Sequence, residues 1–197
     1  SLSSTWSQGR YPKVNESFNF NYRKNKVNFF TTLGYSNRRN FQNLDIQRKF
    51  IEASTKDIKS HFDQESRIKE SGKSYNAKIG LDYYVTKKTT LGAVFTGFFN
   101  LFLFSNTSDV LISDPNRVLL SRTLASTSND RKWKNFSTNL NLRHVFDSTG
   151  KELTVDADYL MYRSTNIQDL VNAYFDANGI PSTKADTLLG NLPQDIN

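Results

Sequence analysis

The stretch Ser74-Tyr-Asn-Ala-Lys-Ile-Gly-Leu-Asp-Tyr-Tyr84-Val-Thr-Lys-Lys-Thr-Thr90-Leu-Gly-Ala-Val-Phe-Thr-Gly-Phe-Phe-Asn100-Leu-Phe-Leu103 decides the fold. Tyr75, Ala77, Ile79, Leu81, Tyr83 and Val85 alternate with Ser74, Asn76, Lys78, Gly80, Asp82, Tyr84 and Thr86. A period of two puts the first set on one face of a strand and the second set on the other. Past Thr86-Lys87-Lys88-Thr89 the pattern resumes. Leu91, Ala93, Phe95, Phe99, Leu101 and Leu103 oppose Thr90, Gly92, Thr96 and Asn100. Two alternating runs joined by so short a polar connection predict an antiparallel hairpin.

The same unit recurs on both sides. Upstream, Val14, Phe18, Phe20 and Tyr22 alternate with Asn15, Ser17, Asn19, Asn21 and Arg23. Beyond Lys24-Asn25-Lys26, Val27, Phe29, Thr31, Leu33 and Tyr35 alternate with Asn28, Thr32, Gly34 and Ser36. Downstream, Phe136, Leu140, Leu142 and Phe146 alternate with Ser137, Asn139, Asn141 and Arg143, and a turn is expected over Asp147–Lys151. Leu153, Val155, Ala157, Tyr159 and Met161 then oppose Thr154, Asp156, Asp158 and Tyr162. The expectation is an all-β antiparallel meander of about six strands, with hairpins about 14–36, 74–103 and 136–162.

The tight turns centre near Asn25, Lys87 and Thr149, 62 residues apart (87 − 25 and 149 − 87). The polar stretches about 37–73, 105–134 and 163–197 read as long loops; within the last, Ile167–Phe175 fits either a helical turn or a strand end. Short turns at one end and long loops at the other are the pattern of bacterial outer-membrane barrels. Soluble sandwiches keep both ends short, and structureless loops of thirty residues are uncommon in compact domains.

The two faces carry different chemistry. The polar one is rich in Asn, Ser, Thr and Gly, with scattered Lys78, Asp82, Arg143, Asp156 and Asp158, and small uncharged groups suit a wet barrel interior. The apolar one carries Tyr22, Tyr35, Tyr75, Tyr83 and Tyr159 towards strand ends, a candidate membrane-interface girdle. Ordinary strand aromatics are the plainer alternative. Phe98, Phe102 and Phe104, beside Phe99, sit where strand is expected to meet loop, and are the candidate ligand-contacting residues at a barrel mouth. Packing beneath a loop is the competing reading.

Composition narrows the classes. The 197 residues are 37% hydrophobic and 13% aromatic, with 15 Phe, 9 Tyr and no Cys. So many aromatics argue against disorder, and the missing cysteines exclude disulfides, thiolate metal sites and a cysteine nucleophile. No apolar run is long enough for a membrane helix. The formal charge is +7, but between Arg38 and Lys73 basic and acidic residues interleave, which argues against a nucleic-acid partner.

Chemistry-bearing motifs are sparse. Asp156 and Asp158 have the spacing of a carboxylate pair on one strand face, which in a wet lumen is ordinary. His61 and His144 are far apart in sequence and make a poor metal set. There is no phosphate loop, nucleophile elbow or His-Glu-x-x-His. The expectation is a non-enzymatic chain with no catalytic, cofactor or metal residues.

Gly9-Arg-Tyr-Pro-Lys13 leading into Phe18-Asn-Phe-Asn-Tyr-Arg23, then Tyr35-Ser-Asn-Arg-Arg-Asn40, Tyr75-Asn-Ala-Lys-Ile-Gly-Leu-Asp-Tyr83, Lys88-Thr-Thr-Leu-Gly92, Leu153-Thr-Val-Asp-Ala-Asp-Tyr159 and Leu192-Pro-Gln-Asp-Ile196 resemble the outer-membrane β-barrel family of the Bacteroidetes, similar to TonB-dependent receptors. The resemblance extends over nearly the whole chain. It implies a wide plugged barrel, location in the bacterial outer membrane, and import of an unknown small-molecule or peptide ligand. The implied partners are outer-membrane lipid, the rest of the same barrel with its plug, and a TonB-type energy-coupling protein. About eight strands make the smallest membrane barrel, so the chain is expected to be a barrel segment. The other readings are a soluble antiparallel β-barrel or sandwich acting as a ligand- or partner-binding module, and an oligomer whose chains complete one barrel. Whether Phe18, Ile79, Phe95, Leu140 and Val155 point outward or into a closed core separates wall from soluble module.

Overall fold

The structure is a computed structural model describing residues 1–147 and 150–196. Ser148 and Thr149, the centre of the turn expected over Asp147–Lys151, lie outside the described residues, as does Asn197. The chain forms β1 (Leu2–Gln8), β2 (Pro12–Lys24), β3 (Val27–Ile51), β4 (Ile58–Tyr84), β5 (Thr89–Ser113), β6 (Leu119–Val145), β7 (Glu152–Asp176), β8 (Asp186–Asn191) and β9 (Gln194–Ile196). They make one antiparallel meander in chain order from β1 to β8, with β9 also on β7. The sheet is not closed: β1 and β8 are its two ends.

The all-β meander is as the alternation predicts, but its strands are nine, not about six. The stretches expected as long loops are strand. β3 and β4 pair without interruption from Val27↔Tyr83 to Arg48↔Phe62 and on to Ile51↔Ile58. β5 and β6 pair from Thr89↔His144 to Ser113↔Leu119, so 105–134 is strand apart from the turn at 114–118. Ile167–Phe175 continues β7. The reason is that a ladder needs only backbone N–H and C=O groups, whereas the sequence signal needs contrast between faces. From Asn37 to Arg48 both faces are mostly polar, and the contrast vanishes while the ladder goes on. At 25 to 27 residues, β3 to β7 are about 80 Å long.

β8 and β9 are one strand interrupted. Ile167↔Asn191 and Ser164↔Gln194 share a register, and the Leu192 N–H still donates to Asn166 O at 2.9 Å. Pro193 then falls in the gap, because it has no N–H for the ladder.

The turns repeat with the period of the chain. At one end Asn25 takes φ 52° in a two-residue connection, where an Asn tolerates the left-handed region. Lys26 Nζ donates to Val85 O at 2.9 Å, and Lys88 Nζ to Phe146 O at 2.7 Å, so each turn's lysine clips the next hairpin. At the other end Asp114-Pro-Asn-Arg-Val118 and Asp176-Ala-Asn-Gly-Ile180 fold alike. Asp114 Oδ1 accepts from the N–H of Asn116 (2.9 Å) and Val118 (2.8 Å); Asp176 Oδ1 accepts from those of Asn178 (2.9 Å) and Ile180 (2.8 Å). Gly179 sits at φ 78°, and Arg117 takes φ 68° in the matching place.

A carboxylate holding two N–H groups contributes about 1–2 kcal/mol per turn. Asp114→Ala is expected to speed amide exchange at Asn116 and Val118 by about tenfold, and Asp114→Asn, which keeps an acceptor, to restore most of the protection. Exchange in Asp114→Ala unchanged from the unsubstituted chain would show that the side chain does not hold the turn.

Candidate functional site

Cross-strand register assembles two unlike surfaces. On one face Val27, Tyr83, Leu91, Leu142 and Val155 are successive partners across β3 to β7. Further along the strands comes Phe20, Thr31, Ile79, Phe95, Thr138 and Tyr159, then Phe18, Leu33, Ala77, Gly97, Phe136 and Met161. A row of Tyr35, Tyr75 and Phe99 closes the apolar band on β3 to β5, with ring centroids 5.0 and 6.1 Å apart. From Val27 to Tyr35, Tyr75 to Tyr83, or Leu91 to Phe99 is about nine residues, the number a tilted strand needs to cross a bilayer core.

The five candidate girdle tyrosines share this face at different levels. Tyr83 lies in the row at one margin, and Tyr35 and Tyr75 in the row at the other. Tyr22, opposite Phe29, is one row inside, while Tyr159, opposite Thr138, is in the middle of the band. Beyond the Tyr83 margin His144 Nδ1 shares a 2.9 Å hydrogen bond with Thr89 Oγ1, and its ring meets Phe146 edge-on at 4.7 Å. His61 is at the opposite end of the sheet, opposite Lys49, and among the described residues no metal-ligating cluster forms.

Nothing packs on the apolar band. Phe18 is 39% exposed, Ile79 44%, Phe95 45%, Leu140 53% and Val155 49%, and no hydrophobic residue among those described is buried. The buried side chains are polar: His61, Ser66, Asn100, Ser108 and Ser113. Single-layer order of this kind rests on backbone pairing and cross-strand side-chain contacts.

The second face is polar and tightly fitted. Ser66 and Ser108 hydroxyls lie 2.7 Å apart, Gln64 Nε2 donates to Ser66 Oγ at 2.8 Å, and Asn100 Nδ2 to Ser74 Oγ at 2.6 Å. The Phe30 ring lies across Gly80, where an added Cβ would fall 2.1 Å from the ring. An aromatic covering a cross-strand glycine restores the packing that the glycine lacks. Asp158 accepts from Asn139 Nδ2 at 2.8 Å, while Asp156 faces Asn141, so both acids belong to an amide-lined surface.

Phe98, Phe102 and Phe104 are on this polar face, in mid-strand rather than at a strand–loop junction, because β5 continues to Ser113. Their partners are Asn76 and Asn135, Gly72 and Arg131, and Glu70 and Asn129. Two further aromatics join them: Tyr162 opposite Asn135, on the polar face as its alternation with Met161 predicts, and Trp133 opposite Asn100, which the alternation pattern does not single out. Arg38, opposite Gly72, and Arg131 flank Phe102. Strand parity puts Trp133 on this face, a signal that exists only because β6 extends through 119–145.

The strand extensions beyond the band carry ion pairs. Arg122 meets Asp109 bidentately at 2.8 and 2.6 Å, and Arg117 meets Asp63 at 2.8 Å. The Arg122 hydrogen bonds hold the Asp109 carboxyl below its ordinary value of 3.8, against a smaller opposing effect of burial. Tyr174 donates to Asp186 at 2.9 Å, which raises the phenol's pKa and ties β7 to β8. A depressed carboxyl contributes stability above its unfolded value, lost as pH falls through the folded one. Titrated by carbon NMR, Asp109 is expected to have its midpoint below 3.8 and to move up in Arg122→Gln. An unmoved midpoint would remove Arg122 as the cause.

The chain matches no protein-family model and no curated protein sequence.

Proposed function

We propose that this chain is a wall segment of a bacterial outer-membrane β-barrel that takes up or binds a ligand, without catalysis of its own. The observation that carries the reading is the exposed apolar band, about nine residues tall, on a sheet with no hydrophobic core. In water such a surface is a liability, since each half-exposed Leu, Phe or Ile forgoes about 1 kcal/mol of burial. In a bilayer the same face is solvated by acyl chains. The ladder satisfies the backbone groups within the sheet, as hydrocarbon demands.

The band lies next to the Asn25 and Thr86–Thr89 turns. That end is the periplasmic side in this reading, and the polar extensions of β3 to β7 rise outside the cell. The opposite face lines the lumen, with Phe98, Phe102, Phe104, Trp133 and Tyr162 near its outer level as a ligand surface. The free edges of β1 and β8 are completed by the rest of the barrel, which also holds the plug engaged by a TonB-type energy-coupling partner.

The two tryptophans report the two faces. Trp6 pairs with Val14 in register with the apolar side, and Trp133 faces Asn100 on the polar side. In phosphatidylcholine bilayers containing acyl-brominated lipid, Trp133→Phe is expected to keep strong quenching through Trp6, and Trp6→Phe to lose most of it. A soluble, cooperatively melting monomer in detergent-free buffer, with neither tryptophan quenched, would overturn the wall in favour of the soluble binding module.

A further inference from the structure

The segment from Arg38 to Lys73 interleaves basic and acidic residues in sequence, and the register sorts them. On the band's face, beyond Tyr35, Tyr75 and Phe99, β3 presents Asn37, Arg39, Phe41 and Asn43, and β4 presents Lys73, Ser71, Lys69 and Arg67. β5 adds Leu101, Leu103, Ser105 and Thr107. Arg39, Arg67, Lys69 and Lys73 thus stand together on β3 and β4 with no carboxylate among them there, because Glu70 lies on the other face; on β6 and β7 Asp130, paired to Lys132 at 3.2 Å, and Asp169 stand level with Arg39 and Lys69. The acids come next and together: Asp45, Glu65 and Asp109 are successive partners. Along β3 to β5, therefore, the order is apolar band, cationic zone, acidic row.

The cationic zone is exposed, and its four side chains form no ion pair among the described residues. Arg10 joins it, stacked 4.4 Å from the Phe41 ring, which Tyr11 meets edge-on at 6.1 Å. Between these groups run two shallow grooves of about 270 Å³, one bordered by Tyr11, Arg39 and Lys69 and the other by Arg10, Phe41 and Arg67. Successive rows are about 7 Å apart along the strand, or about 5 Å in height at a 45° tilt. Lys73 and Arg39 then stand about 5 and 10 Å above the hydrocarbon edge, the depth of lipid headgroups, and Lys69 and Arg67 about 15 and 20 Å above it, their long side chains able to lean down toward that layer.

Resting on the wall reading above, we propose that this zone is a binding surface for phosphate-bearing lipid headgroups of the outer leaflet. Charge complementarity names the occupant. Unpaired cations at headgroup depth, on the face that meets acyl chains, contact the anionic part of the same molecules. Arginine forks and lysine points both suit phosphate oxygens.

The test uses a single reporter inside the zone. Leu101, opposite Lys73, becomes Leu101→Trp in a chain carrying Trp6→Phe and Trp133→Phe. Quenching is compared in phosphatidylcholine bilayers holding equal amounts of brominated phosphatidylcholine or brominated phosphatidylglycerol. The expected result is about fivefold preference for the anionic lipid, the worth of roughly one cation at a charged surface. Adding Arg39→Gln, Arg67→Gln, Lys69→Gln and Lys73→Gln is expected to abolish the preference while leaving phosphatidylcholine quenching unchanged. High salt should abolish it in the unsubstituted zone, which guards against a variant that misfolds. Equal quenching by both lipids, or a preference that survives the four substitutions or the salt, would overturn the proposal and leave the wall intact. No quenching by either lipid would instead bring down the wall reading itself, and this inference with it.

Discussion

Unbroken backbone pairing in one register is the constraint on which everything else in this molecule depends. In a globular domain the burial of one strand face in a core helps to specify register. This sheet has no core to do so. From β3 to β7 the ladder joins strands of 25 to 27 residues with register shifts only beside the distal turns, at Phe50/Ile51 and Ile112/Ser113. A slip of one residue would exchange the faces and put Asn and Ser where Phe and Leu now stand. The turns guard against that slip. Asp114 and Asp176 fix the distal loops through paired acceptors, and Lys26 and Lys88 bind each proximal turn to the next hairpin.

From that register follow zones that no single strand possesses. Tyr35, Tyr75 and Phe99 become one row although about forty residues separate the first two (75 − 35). Asp45, Glu65 and Asp109 become neighbours in the same way, and like charges side by side disfavour pairing unless a cation intervenes. Arg122 supplies that cation to Asp109 from β6. On β3 to β5 the fold thus sorts a chain of mixed local charge into zones along the strand direction, while on β6 and β7 Asp130 and Asp169 stand level with the cations.

What was legible in the sequence depended on contrast. Ser74–Leu103 showed its strands because Ile79 and Leu81 alternate with Lys78, Gly80 and Asp82. Asn37–Lys73 hid its strands because Asn37, Arg39 and Asn43 alternate with Arg38, Asn40 and Gln42, polar against polar. The distal turns Asp-Pro-Asn-Arg-Val and Asp-Ala-Asn-Gly-Ile carried turn chemistry in plain view, yet inside supposed loops they marked nothing. The site followed the same rule. The tyrosines of the band and the phenylalanines of β5 could be assigned to faces by parity. Parity would place Trp133 as well, once 119–134 is known to be strand; the grouping of Arg39, Arg67, Lys69 and Lys73 required knowing which residue stands opposite which, and pairing partners are a property of two strands at once.

The absence of a core also bears on what must surround the sheet. Each residue fixed in an extended conformation costs about 1–2 kcal/mol of backbone entropy, and hydrogen bonds that replace bonds to water return only about 0.5–1.5 kcal/mol each. Pairing alone therefore leaves a deficit for a sheet in water, and burial of the apolar band has to offset it. A second protein layer would do so for a soluble module, but among the described residues no element covers Phe95, Ile79 or Leu140. Acyl chains would do so for a membrane wall, and they would also strengthen the ladder, since water no longer competes for the N–H and C=O groups. The exposed band and the long ladder thus make the same demand on the surroundings: an apolar medium against one face, with water and polar groups against the other.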